Sequence, residues 1–283
     1  MRFAMRFLLL SGLAAAVLAP VLASAQGRET RNRPRIGLQL YSVRDECARD
    51  LPGVLRAVAR MGYQGVEFAG YHGRSAEELR RLLDENNLVA CGSHVSLESL
   101  LGDNLEGTIA FNRTLGNRFL IVPGLPRERT ATRQAWLETA RLFTEISRRL
   151  EPHGMYVGYH NHSEEFRPLD GELPWDTFFS NTPRRVVMQF DTGNALAGGA
   201  QAMPFLRRYP GRALTVHIKE FSATNPRALI GEGDVRWSEV LPLLRRTGRT
   251  QWYIIEMESH AFPPLECVEK CLRNFERLLA RYR

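Results

Sequence analysis

Disulfide chemistry has little to work with in this chain of 283 residues. It contains four cysteines, Cys47, Cys91, Cys267 and Cys271, too few and too unevenly spaced for a disulfide framework. No Cys-x-x-Cys pair occurs, so nothing points to thiol redox work. Cys267 and Cys271 fall one helical turn apart, a spacing that does not hold two thiols in relaxed disulfide geometry, and reduced, partly buried thiols are expected. The first apolar strand is not followed by Gly-x-Gly-x-x-Gly, the usual sign of a dinucleotide site. The Gly-rich run Ile230-Gly231-Glu232-Gly233-Asp234-Val235 lacks the Lys-Ser/Thr ending of a phosphate loop and reads as a loop over the site. Basic residues exceed acidic ones for a formal net charge of +7. The arginines, however, are scattered through helical stretches such as Leu79-Arg80-Arg81-Leu82-Leu83, without interleaved exposed aromatics, so no nucleic-acid partner is expected.

What is present begins with the N-terminus. Arg2 and Arg6 precede an apolar run, Phe7 to Leu22, broken by Gly12 and Pro20 and followed by Ala23-Ser24-Ala25. The run is short for a membrane span, and the closing triplet is of the kind signal peptidase accepts. The arginines are not a twin-arginine pair. Residues 1–25 are therefore expected to be a secretory signal peptide cleaved near Ala25, giving a periplasmic or secreted protein without stable membrane insertion. Residues 26–283 then form one domain, close in length to an eight-fold β/α barrel.

From Ile36 onward, short apolar strands alternate with longer amphipathic helices. The strands read as Ile36 to Tyr41, Gly65 to Phe68, Leu88 to Val95, Phe119 to Val122, Met155 to Tyr159, Val186 to Phe190, Leu214 to Ile218 and Tyr253 to Met257. Helices are expected at Leu51 to Met61, after Ser75 with Glu78 in a capping-box pattern, at Arg133 to Leu150 and at Pro264 to Leu279. Eight strands each followed by a helix or a helix-length segment call for an all-parallel sheet with helices outside it, an α/β fold of the closed (β/α)8 TIM barrel kind. An open doubly wound sheet is the alternative.

In such a barrel the C-terminal strand ends share one mouth. Glu67, His94, His160, Asp191, His217 and Glu256 all stand at those ends. In Tyr159-His160-Asn161-His162, residues two apart share a strand face, so His160 and His162 are both candidates while Asn161 points away. Two imidazoles with two carboxylates suit a divalent ion such as Mn, Zn, Co or Fe, with positions left for substrate or water.

The segments Gly65-Val66-Glu67, Tyr159-His160-Asn161-His162, Phe190-Asp191-Thr192-Gly193-Asn194, Val216-His217-Ile218-Lys219-Glu220, Gly231-Glu232-Gly233-Asp234-Val235 and Ile255-Glu256 together resemble the sugar phosphate isomerase/epimerase family, whose xylose isomerase-like barrel is shared with endonuclease IV. The resemblance runs from about Ile36 to the end. It implies His160, Asp191, His217 and Glu256 as ligands of a divalent metal (Mn, Zn, Co, Fe or Mg), with His162 left as a substrate contact. It also implies proton abstraction α to a carbonyl, with Glu256 as one base. There is one departure. Ketose epimerases of this superfamily carry a second proton-moving glutamate where His160 stands, and a metal-bound neutral histidine cannot replace it. Glu67, His94 or Glu165 is then the second proton carrier, and Lys219 either stabilises an enolate oxygen or is a structural partner of Glu220 or Asp191. Substrate contacts are expected from His162, Glu232, Tyr41 and His72. Tyr41, His72, Phe166, Trp175 and Trp237 are candidates for a sugar-stacking wall.

The leading expectation is a metal-dependent isomerase or epimerase acting on a sugar or keto-sugar. A keto-glycoside lyase or hydratase would use the same chemistry, and export favours a free sugar or keto-glycoside over a sugar phosphate. Phosphodiester hydrolysis and a non-catalytic carbohydrate-binding barrel are the other readings. Which sugar, which metal and whether the chain forms a homo-oligomer stay open at this level.

Overall fold

The computed structural model describes residues 34–282; the expected signal peptide, residues 1–25, lies outside them. Eight strands close into a parallel barrel in sequence order. They are β1 Arg35–Gln39, β2 Gly65–Ala69, β3 Val89–His94, β4 Phe119–Val122, β5 Tyr156–His160, β6 Val187–Asp191, β7 Thr215–Ile218 and β8 Trp252–Ile255. Around them, in chain order, run α1 Arg44–Met61, α2 Ala76–Glu85, α3 Asn104–Leu115, α4 Arg133–Leu150, α5 Pro174–Ser180, α6 Thr192–Ala197, α7 Ala202–Arg208, α8 Trp237–Leu243 and α9 Pro264–Arg281. No helix among the described residues is long and apolar enough to cross a membrane.

Side-chain alternation along each strand sorts the residues into two environments. Val157, Tyr159, Met188, Phe190, Val216, Ile218, Tyr253 and Ile255 belong to the large apolar core with the helices. Cys91, Phe119, Ile121, Val187, Leu214, Trp252 and Ile254 form a separate apolar plug. Continuing the plug's alternation from Val187 reaches Gln189 and Asp191, and from Trp252 and Ile254 reaches Glu256. The inward face thus changes from apolar to polar toward the C-terminal ends.

Local chemistry sets the element boundaries. The helix expected from Leu51 begins earlier, at Arg44, but is broken at Asp50 (φ −151°, ψ 75°). The Asp50 carboxylate accepts from the Gly53 amide at 2.9 Å and caps the second half. At α2 the capping box is present in both directions, Glu78 N to Ser75 Oγ at 3.2 Å and Ser75 N to Glu78 Oε2 at 3.1 Å. The β2/β3 register shifts between Val66 and Glu67.

Candidate metal centre

Strands β5, β6 and β7 carry His160, Asp191 and His217 at their inward C-terminal ends, and Glu256 follows β8 by one residue. One ligand atom from each lies within 4.8 Å of the others, and all four residues are buried. The register assists, since Asp191 is paired directly with His217. His160 Nδ1 and Asp191 Oδ2 are buried without a hydrogen-bond partner. Orphaned polar atoms in a dry interior are costly. Two of them facing two further donors fit a bound divalent cation, and an N2O2 set suits zinc, cobalt, iron or manganese. His94, His160 and His217 form a second, overlapping group of converging ligand atoms.

His217 is the hub. Its Nδ1 lies 3.0 Å from Glu256 Oε2 and 3.8 Å from Asp191 Oδ2, while Nε2 lies 2.6 Å from Glu67 Oε2. Burial alone would lower its pKa, but Glu67 and Glu256 outweigh it and push the ring up to about 10. His160 moves the other way. Burial, with His217 and His94 nearby, holds it well below the ordinary imidazole value, so it is neutral and free to coordinate. Burial also raises Asp191 to about 7, against the pull of Lys219. At Glu256 burial acts upward but is outweighed by Lys219 and His217, and the carboxyl stays well below its usual range.

Two candidates for the second proton carrier are committed elsewhere. Glu67 is fully buried and accepts from Gln39 Nε2 at 2.8 Å, Gln189 Nε2 at 2.7 Å and His217. Although burial opposes ionisation, His94 and His217 hold it well below the carboxylate range. It orients His217 and has no free face for substrate. Glu165 is buried too, accepting from Tyr159 Oη at 2.6 Å and from His162 N at 2.7 Å. His94 lies beside the cluster, with Nε2 2.9 Å from Gln189 Oε1 and its ring stacked on His217 at 5.4 Å. Lys219 Nζ reaches Glu258 at 2.7 Å and Glu256 at 3.6 Å. Burial alone would lower the pKa of Lys219, but Glu256 and Asp191 outweigh it and raise it.

The remaining expectations divide. His160 ends the strand and is buried, whereas His162 is exposed, its ring centroid 5.2 Å from that of His160. Tyr41 is 44% exposed, with the Arg44 guanidinium 4.5 Å above its ring. His72 is exposed in the left-handed region at φ 53° and makes no hydrogen bond among the described residues. Glu232 is misplaced by the sequence reading. It accepts from Leu229 N and lies 3.5 Å from Asn274 of α9, in a different cavity. Phe166, Trp175 and Trp237 are buried rather than stacking surfaces. Phe166 and Trp175 pack together at 5.5 Å, and the Trp237 indole donates to Glu220.

Sequence reasoning missed the polar supports. Asn161, expected to point away, accepts from Asp191 N at 2.8 Å and donates to Asp191 O at 3.1 Å, prolonging the β5/β6 pairing with its side chain. Gln189 stands two residues before Asp191, so strict alternation would have found it. Gln39 ends β1 in the same way.

Residues 55–278 match the family described as Xylose isomerase-like TIM barrel. Among curated relatives, the rhizopine catabolism protein MocC of Rhizobium meliloti is 23% identical over 80% of this chain and 81% of its own length. Inosose dehydratase 2 of Bacillus cereus is 20% identical over 71% and 80%. Among solved structures, a sugar phosphate isomerase/epimerase from Parabacteroides distasonis ATCC 8503 superposes with a TM-score of 0.75 at 22% identity, covering 87% of this chain and 98% of that one. The IolI protein with a bound zinc atom gives 0.69 at 13% identity, covering 88% and 99%. The barrel and the family match agree, and the chain belongs to the xylose isomerase-like TIM barrel family.

Proposed function

We propose that this chain is a divalent-metal-dependent enzyme that removes the proton α to the carbonyl of a sugar or keto-sugar. The observation that carries this is the convergence of His160, Asp191, His217 and Glu256, two of them with orphaned buried atoms. An ion held there would polarise the substrate carbonyl and stabilise charge developing on its oxygen. Glu256 Oε1 makes no hydrogen bond among the described residues and is the base. Lys219, 3.6 Å away, keeps that carboxylate ionised and lies close enough to the centre to stabilise an enolate oxygen. The zinc bound by one structural relative and the dehydratase name of another are consistent with this chemistry. The reading includes removal of residues 1–25 on export and a single catalytic domain from residue 26 onward.

Elimination is favoured over epimerisation at this site. Epimerisation needs a second proton carrier on the opposite face. His160 occupies the strand-five position, Glu67 and Glu165 have their carboxylates occupied, and His94 has its Nε2 engaged by Gln189 Oε1 at 2.9 Å and Glu67 at 3.3 Å. The test is metal analysis of the mature protein, wild type against His217→Ala and Asp191→Ala, with deuterium uptake from heavy water into ketoses and 3-keto-glycosides. Stoichiometric metal lost in both variants, with exchange and an unsaturated product from one substrate, is expected. Metal-free wild type that stays inactive after reloading with zinc, manganese or cobalt would refute the proposal and favour a carbohydrate-binding barrel. Exchange that yields only the epimer would refute the preference for elimination.

A further inference from the structure

Beside His162, residues after β4 and β5 line a cavity of about 480 Å³. A second cavity, lined by residues after β6, β7 and β8 that include Lys219 and Glu258, measures about 200 Å³. The larger volume is in the range of pockets that enclose a whole organic ligand, roughly 300–1,000 Å³. His162 lines it, and the ring centroid of that histidine is 5.2 Å from that of the candidate ligand His160.

The cavity is preformed. Glu165 fastens its floor through Tyr159 Oη and the His162 amide. Its outer wall, the segment after β5, is tied to the start of α4. There Arg133 donates its amide to Asp170 Oδ2 at 3.2 Å and its guanidinium to both oxygens of Glu172 at 2.9 and 3.3 Å. A wall fixed in advance lowers the ordering cost of binding.

The lining decides the ligand. Leu125 and Leu169 supply apolar surface, while the guanidinium groups of Arg127 and Arg167 are exposed and in no ion pair among the described residues. Glu164 and Glu165 line the same space. Two positive and two negative groups cancel, which argues against selection of a phosphate or carboxylate. Forked donors and a carboxylate acceptor beside an apolar wall suit a neutral polyol, with hydroxyls to the charged groups and C–H faces to the leucines.

We infer that this cavity is the subsite for the second ring of a glycoside, so that the substrate is a keto-sugar still carrying its glycosidic partner. The inference rests on the function proposed above, with the reacting ring over the metal-ligand cluster and the partner ring beyond His162.

Two measurements on wild type, Leu169→Trp and Arg167→Ala test it. The first is the ratio of kcat/KM for a keto-disaccharide to that for the keto-monosaccharide of the same reacting ring, followed by deuterium exchange. The second is calorimetric titration with the unoxidised disaccharide. Wild type should favour the disaccharide by about tenfold or more. Both variants, folded by circular dichroism, should bring the ratio near one and weaken the titration. A wild-type ratio near one, or a ratio that neither variant moves, overturns the subsite. If neither substrate exchanges deuterium while disaccharide binding is present and lost in the variants, the subsite stands and the proposed reaction fails. Absence of both exchange and binding overturns both.

Discussion

Glu67 reaches His217 Nε2 at 2.6 Å and so decides which nitrogen of that ring faces the other ligands. With one proton held at Nε2 by a carboxylate, Nδ1 is the nitrogen a cation would take by displacing the second proton, and the ring's orientation is fixed from behind. A glutamine at this position would place an amide NH2 among the donors Gln39, Gln189 and His217. Glu67→Gln is therefore expected to weaken metal affinity by about 10- to 100-fold, measured by competition with a chromogenic chelator. Unchanged affinity would assign Glu67 a purely structural part. His160 argues for selectivity in the same way. A neutral nitrogen donor favours zinc or cobalt over magnesium or manganese, so His160→Glu should shift occupancy toward manganese in competitive loading assayed by elemental analysis. An identical metal profile would place His160 outside the coordination sphere. The choice between His160 and His162 was open in the sequence because one bulged residue would reverse it. The β5/β6 register runs without interruption through Gly158–Val187, Tyr159–Met188 and His160–Gln189, which leaves His160 inward.

Elements make room for these residues as much as they supply them. The shift in β2/β3 register falls at Glu67, and a Cβ built on Gly92 of β3 would lie 2.2 Å from Glu67 Oε1 and 3.0 Å from its Cδ. Because Glu67 is held by three donors, it cannot simply swing aside. Gly92→Ala is expected to reduce metal affinity about tenfold without deleting any polar group, read by the same chelator competition. The control is Gly107→Ala in α3, where an added Cβ meets nothing within 4 Å; it should leave affinity untouched and stabilise the helix by roughly 0.5–1 kcal/mol. If the two alanines behave alike, the close approach at Gly92 is not supporting the site. At α2 the capping box found in Ser75-x-x-Glu78 gives a simpler expectation. Ser75→Ala should cost about 1 kcal/mol and lower the melting temperature by about 2–4 °C with metal content unchanged. A drop in metal content would mean that α2 couples to the centre.

Over the whole molecule, what was legible was what repeats. Eight apolar runs and their spacing gave the barrel, because alternation and barrel closure are local rules applied eight times; strand-end position gave six candidates, and the family resemblance singled out the four that converge. What depended on loops was not legible. Glu232 sits in the loop after β7 but faces α9, and Trp175 and Phe166 are drawn into packing although their neighbours line the cavity beside His162. Neither outcome follows from spacing, since loop direction is set by tertiary contacts such as the Glu220 carboxylate accepting from Gly231 and Val235 amides.

The same division between repeated frame and assembled site predicts how the protein responds to its surroundings. All four cysteines are free and buried, so the frame owes nothing to cross-links, even for a protein read as exported. A reductant should leave the melting temperature unchanged. The ligand cluster draws on four successive strand ends, so an ion bound there is linked to the integrity of half the barrel. At a free concentration one hundred times its dissociation constant it should add about 2.7 kcal/mol to stability, and a chelator should remove that gain reversibly. Scanning calorimetry of the mature protein with zinc, with chelator and with reductant separates the two effects. A melting temperature that falls with reductant would require a disulfide the described residues do not contain. One that ignores both zinc and chelator would mean that the four side chains hold no ion in the folded state.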